Sequence, residues 1–92
     1  MASSVFEEQE EEFKVIVLDC GSEMYTIGNV RSIKIIDKDY NLLIMRDYLP
    51  VIGQIEGSVT IEASSTTHFE NIKAFYALSH NVCNLIIKEK KS

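Results

Sequence analysis

The sequence predicts an all-β fold, an antiparallel β-sandwich of about seven to ten short strands. Three observations carry that reading. Apolar residues recur in short runs rich in β-branched and aromatic side chains. Turn-forming residues separate those runs. The chain has 92 residues, 46% of them apolar, which supplies one modest core that buries roughly two-thirds of the unfolded surface.

The elements follow in order. Phe13-Lys14-Val15-Ile16-Val17-Leu18 alternates and then turns apolar on both faces, as a strand buried in a sandwich does. Asp19-Cys20-Gly21-Ser22-Glu23 turns the chain into Met24-Tyr25-Thr26-Ile27. Gly28-Asn29 fits a two-residue hairpin connection, because both residues tolerate positive φ. Val30-Arg31-Ser32-Ile33-Lys34-Ile35-Ile36 has one wet face, and Asp37-Lys38-Asp39-Tyr40-Asn41 turns it into Leu42-Leu43-Ile44-Met45. The loop Arg46-Asp47-Tyr48-Leu49-Pro50 comes next, and Pro50, having no N–H to donate, belongs at a strand start or an edge. Gly53 and Gly57 bracket a further short strand and its turn, ahead of Ser58-Val59-Thr60-Ile61. Ala63-Ser64-Ser65-Thr66-Thr67 reads as a polar loop, and Val82-Cys83-Asn84-Leu85-Ile86-Ile87 closes the fold. Alternation assigns Val15, Val17, Ile33, Ile35, Leu42, Ile44, Val59, Ile61, Leu85 and Ile87 to the core.

Residues 68–79 support two readings. Thr67-His68-Phe69-Glu70 has capping-box spacing, and Phe69, Ile72, Phe75 and Tyr76 follow at helical intervals, so one short helix is open there. Ala74-Phe75-Tyr76-Ala77-Leu78 equally makes a strand with His80-Asn81 as the turn out of it, which is the favoured reading.

Charge divides the chain into three parts. Five of the fourteen acids lie in residues 1–12 with no base beside them, leaving 14 − 5 = 9 acids against nine lysines and arginines in the remainder. Residues 1–12 are therefore expected to be a disordered, solvated acidic tail, or a docking arm for a basic partner. Residues 13–88 form the β-sandwich domain, and residues 89–92 a short basic tail that solubilises the last strand. No apolar run approaches the ~20 residues of a membrane span, and the N-terminus leads into acid rather than an apolar leader. The expectation is a cytoplasmic protein without membrane insertion. Near-neutrality of the body argues against nucleic acid.

The candidate chemical sites fail one by one. Residues 37–41 imitate the opening of a calcium loop, but Leu42 stands where that loop needs glycine and Tyr48 where it needs glutamate. His80 and Cys83 are spaced for metal ligation, yet Cys20 and His68 are the only other suppliers of soft ligands. Neither cysteine has a histidine that the sequence orients, and Cys83 sits in an apolar run where a reduced, buried thiol is the usual state. Gly21, Gly28, Gly53 and Gly57 form no phosphate-cradling pattern. The sequence thus assigns no catalytic, cofactor or metal site, and the expected protein is not an enzyme.

Several segments together resemble the N-terminal β-sandwich of the epsilon subunit of rotary ATP synthases. Phe13-Lys14-Val15-Ile16-Val17 is similar to that family's opening strand, and Gly28-Asn29-Val30-Arg31-Ser32-Ile33 to its Gly-Glu-Val-x-Ser-Val segment. Residues 42–51 cover its Gly-aliphatic-Leu-Pro-Gly-His-Ala-Pro-Leu segment, with Pro50 at the second proline. Ile55-Glu56-Gly57 falls at its aliphatic-Lys-Pro-Gly turn, one residue shorter, and Ala77-Leu78-Ser79-His80-Asn81-Val82 at a Val-Ser-Gly-Gly-aliphatic turn, with Asn81 at a glycine place. The chain departs from the pattern at Arg46-Asp47-Tyr48, where Pro-Gly-His is usual, at Leu43 in place of a glycine, and at Asn41 in a commonly acidic place associated with the membrane ring.

The resemblance implies a non-catalytic central-stalk subunit that docks on a gamma-like shaft, couples rotation to proton transport, and touches a membrane ring or its replacement. Asn41, Arg46, Asp47 and Tyr48 are the partner contacts it implies. It also implies no hydrolysis brake, because nothing after the sandwich matches the family's helical hairpin. The alternative is a free-standing β-sandwich adaptor, unrelated to rotary motors, that recruits a partner through a strand edge or the acidic tail. The bias to lysine, isoleucine and asparagine implies a low-GC bacterial source.

Overall fold

A computed structural model describes residues 12–91. Seven strands are present: β1 (Lys14–Asp19), β2 (Glu23–Ile27), β3 (Ser32–Asp37), β4 (Asn41–Met45), β5 (Val51–Glu62), β6 (Thr66–Ser79) and β7 (Val82–Lys90). The described residues contain no helix, so residues 68–79 take the strand reading and belong to β6.

The strands form one hydrogen-bonded sheet in the order β2-β1-β7-β6-β5-β3-β4. Two points of the antiparallel expectation are corrected. β1 and β7 pair in parallel, Lys14 opposite Val82 through Asp19 opposite Ile87, because the first and last strands come together without a hairpin. Gly28-Asn29 is not a hairpin turn: β2 pairs with β1 and β3 with β4 and β5, so the segment crosses between strands that never meet. Asn29 does take the positive φ its residue type allows, at 50°, and its N–H donates to Glu12 Oε2 at 2.8 Å. Val30 N–H then donates to the Phe13 carbonyl, fixing the start of β1 against the crossover.

Two long strands bend the sheet over itself. Val59 and Ile61 are fully buried, and with no helix to cover the inner face, its two halves must cover each other. The bends lie at irregularities in the ladders. In β6, Glu70 and Asn71 stand opposite the single Ser58 of β5, with Asn71 at φ 56°, and a second shift in the β6–β7 pairing falls between Lys73 and Ala74. The expected turn at Gly57 is absent, since β5 runs through it. Gly57 is there because a Cβ would strike the Ile36 carbonyl oxygen of the neighbouring strand.

The inner face is an aliphatic core. Phe13, Val15 and Val17 meet Ile33, Ile35, Ile44, Ile55, Val59 and Ile61 from one half of the strand order and Ile72, Ala74, Tyr76, Leu78, Cys83, Leu85 and Ile87 from the other. Nine of the ten core residues expected from alternation are buried, and Leu42 packs against the cluster partly covered.

A candidate docking end and the outer faces

The loop between β4 and β5 is held rigidly by one asparagine. His80 and Asn81 connect β6 to β7 with φ of 52° and 64°, the left-handed pair a tight two-residue hairpin requires. Asn81 is buried. Its Oδ1 accepts the Asp47 N–H at 2.6 Å, its Nδ2 donates to Asp47 Oδ1 at 3.0 Å, and its carbonyl accepts the Lys14 N–H at 3.0 Å. Asp47 itself sits at φ 67°. The β6–β7 turn, the start of β1 and the β4–β5 loop are thereby joined at one end of a molecule measuring 54 × 27 × 21 Å.

What that end presents is apolar. Leu49 is 78% exposed and Ile52 79%, with Met45 and Tyr48 beside them in sequence and also exposed. Side chains this large stay in water at a pinned loop only at a free-energy cost that a partner's surface relieves.

Three of the four residues implied as partner contacts share this loop, and one does not. Arg46, Asp47 and Tyr48 are adjacent and exposed, whereas Asn41 opens β4 at the strand's other end, five residues or about 17 Å away. Asp47 is also an anchor, its backbone amide and carboxylate both engaged by Asn81. Sequence reasoning missed Leu49 and Ile52. Their signal was present: Leu49 precedes Pro50 in the loop, and Ile52 stands an odd number of residues from Ile55, Val59 and Ile61, on the face of β5 opposite the core.

Asn41 belongs to the opposite turn, which is built for structure. Asp37 Oδ1 accepts the Glu56 N–H at 2.6 Å and Oδ2 the Asp39 N–H at 2.9 Å. Those two amide bonds, the Glu56 one first, lower the Asp37 pKa below the usual carboxylate value, so the resemblance to a calcium loop reflects a turn cap. The Tyr40 hydroxyl donates to the Gln54 carbonyl at 2.5 Å and lies 3.2 Å from the Tyr76 hydroxyl. Its partial burial, then the Tyr76 contact, push its pKa up. A cleft of about 400 Å³ beside this turn is lined by Lys38, Lys73 and Lys88 and equally by Asp37, Asp39 and Glu56. Its balanced charge, with Lys38 within 4 Å of Asp39 and Glu56, recommends no particular ion.

The remaining candidates stay apart. Cys83 lies in the core, where burial pushes its thiol pKa up to about 12, and Cys20 is exposed in the β1–β2 turn. His68 pairs with Thr60 at 2.7 Å and His80 with Ser79 at 2.9 Å. Among the described residues no group of three metal-ligating side chains forms, and no helix is long and apolar enough to cross a membrane.

Comparison with known proteins gives a likeness of fold. No family model matches the chain, and no curated protein matches its sequence. The fold is similar to that of a chain in the cryo-EM structure of the Tetrahymena thermophila mitochondrial ATP synthase central stalk and c-ring, with a TM-score of 0.72 over 87% of this chain at 12% identity. The match spans 66% of the length of that chain, just under two thirds.

Proposed function

We propose that this chain is a non-catalytic, epsilon-like central-stalk subunit of an F-type or F-type-like rotary ATPase. The observation that carries the reading is the shared fold with a chain of an ATP synthase central stalk. The segments that resemble the epsilon subunit's sandwich lend it support, because that likeness lies in the sequence and is independent of the fold comparison. In this role the chain hydrolyses nothing. It docks on a gamma-like shaft and transmits torque as a rigid body, in the cytoplasm and peripheral to the membrane through its complex. The pinned β4–β5 loop supplies the contact: Tyr48 and Leu49 offer apolar area and Arg46 a planar cation, residue types that anchor interfaces.

A loop-directed variant tests the reading. Arg46→Ala combined with Tyr48→Ala is expected to weaken binding to the cognate gamma-like subunit at least tenfold, about 1.4 kcal/mol, while the melting transition stays near that of the parent. Unchanged affinity would remove this loop from the interface. The adaptor reading is favoured by a separate observation, the exposed apolar residues Leu43 and Met45 on edge strand β4. It predicts a partner that contains no rotary ATPase subunit.

A further inference from the structure

Of the seven strands among the described residues, β4 alone carries no charged side chain, and it stands at an edge of the sheet. Edge strands ordinarily hold a lysine, a proline or a bulge that keeps another chain from pairing with them. Asn41-Leu42-Leu43-Ile44-Met45 has none, and its ladder to β3 runs unbroken from Ser32 opposite Met45 to Ile36 opposite Asn41. The other edge strand, β2, opens with Glu23.

The hairpin before β4 fixes which of its main-chain groups face outward. Asp37 N–H donates to the Tyr40 carbonyl at 2.8 Å, so those two residues bond across the hairpin. Opposed residues of an antiparallel pair alternate between bonded and non-bonded, which makes Ile35 with Leu42 and Ile33 with Ile44 the next bonded pairs. Asn41, Leu43 and Met45 therefore turn their N–H and C=O groups to the open side. There, among the described residues, the Met45 carbonyl alone is taken, by Tyr48 N–H at 3.2 Å. Leu43 and Met45 are also half-exposed on the outer face, and a groove of about 330 Å³ passes Ile36, Asn41 and Leu43.

We propose that β4 pairs with β4 of a second copy of this chain, antiparallel about Leu43. In that register the strand is its own complement. Leu43 meets its equivalent, Leu42 meets Ile44, and Met45 stands opposite Asn41 at the groove beside Ile36, while the outward groups form roughly four to six main-chain hydrogen bonds. No like charges are brought together in the ladder. Lys34 lies one strand back from Leu43 in each copy, so the two lysines are about 14 Å apart, beyond the ~8 Å screening length of physiological salt. Pairing β4 with β2 of another copy would instead set Glu23 against this uncharged row, and would propagate rather than close. Five residues a side bury well under the ~1,200 Å² of a stable interface, so the dimer is a weak one, dissociating at about tens to hundreds of micromolar. Any other strand that uses this edge competes with the second copy. The pairing stands whether or not the chain belongs to a rotary motor.

Sedimentation and amide hydrogen exchange test the pairing in the full chain, under reducing conditions because Cys20 is exposed. Between about 20 µM and about 1 mM the parent is expected to pass from monomer to dimer, and the Leu43 amide to exchange several-fold more slowly, while those of Leu42 and Ile44, already bonded to β3, change less. Leu43→Lys, at a half-exposed position outside the core, sets two lysines directly opposite and is expected to weaken the dimer at least tenfold. Ile86→Lys lies on β7, at a separate apolar groove of about 350 Å³ rimmed by Ile52, Phe75 and Ile86, and is expected to leave the dimer unchanged. A chain that stays monomeric at about 1 mM, a dimer that tolerates Leu43→Lys, or one that forms without slowing the Leu43 amide would each overturn the proposal, as would loss of the dimer in the Ile86→Lys chain.

Discussion

Asn81 shows how one residue can serve backbone and loop at once. It holds a left-handed φ of 64° and its side chain makes two hydrogen bonds to Asp47. Asn81→Gly keeps the conformation and loses the bonds, whereas Asn81→Ala loses both. Thermal or denaturant unfolding should therefore rank parent, glycine, alanine, with alanine lower than glycine by about 1 kcal/mol for the left-handed strain. Equal stabilities would mean the turn relaxes out of the left-handed region. The turn itself was legible, since His80-Asn81 falls between two apolar runs, but the bond to Asp47 was not, because 34 residues separate the pair and nothing local announces the partner. Asp37 makes a pH-dependent counterpart. Its folded pKa lies below its unfolded one, so the stability it contributes is complete above the ordinary carboxylate range and is lost as pH falls through the folded value. An Asp37→Asn chain should show a shallower loss of stability than the parent below about pH 4 when melting is followed against pH. Thiol chemistry offers a third check. Cys20 is exposed, but desolvation and then Asp19 raise its pKa, and Cys83 is buried with its pKa near 12. Alkylation at pH 8 should modify Cys20 more slowly than a free thiol, and Cys83 only as the protein unfolds; prompt modification of Cys83 would contradict its burial.

Among the elements, β6 decides the architecture. Its inward residues Ile72, Ala74, Tyr76 and Leu78 alternate cleanly, and β5 and β7 pair along either side. Ile72→Ala should cost about 2–5 kcal/mol of unfolding free energy, because Ile72 is fully buried beside the bulge and the surroundings cannot collapse onto the space. A cost near zero would mean the bend is not held by this packing. Gly57→Ala in the adjoining strand should also destabilise, through the clash with the Ile36 carbonyl, and shift amide signals of β3 as well as β5. The bulge also explains why the sequence left a helix open here. Asn71 inserts one residue into a period-two pattern, so Phe69 and Ile72, both turned toward the core, stand three apart and imitate a helical interval. Elsewhere the strands were plain, since period-two alternation reports the face of each residue directly. Their partners were not: Gly28-Asn29 signals positive φ but says nothing about which strands it joins, and a glycine such as Gly57 marks close approach as readily as a turn.

At the scale of the whole molecule, the described residues bury a continuous core yet leave Leu43, Met45, Leu49, Ile52, Phe75 and Ile86 at the surface. Scattered exposed aliphatics are ordinary, but here one set clusters on a pinned loop and another rims a groove, which is the distribution expected of a protein that works by being held by others. The all-β class and most of the core were legible because burial in a sandwich imposes alternation. The docking end was legible only in part, since Arg46, Asp47 and Tyr48 stood out by type, while Ile52 shows its exposure only once β5 is known to start at Val51 and to alternate toward buried Ile55. The proposed place in a rotary motor's stalk is tested by the composition of the motor itself. The rotary ATPase of the source organism should be purified from native membranes in mild detergent and its subunits quantified by mass spectrometry. A stalk subunit is expected to appear in fixed proportion to the shaft subunit through every purification step. Its absence from an otherwise intact and active complex would contradict a place in the stalk.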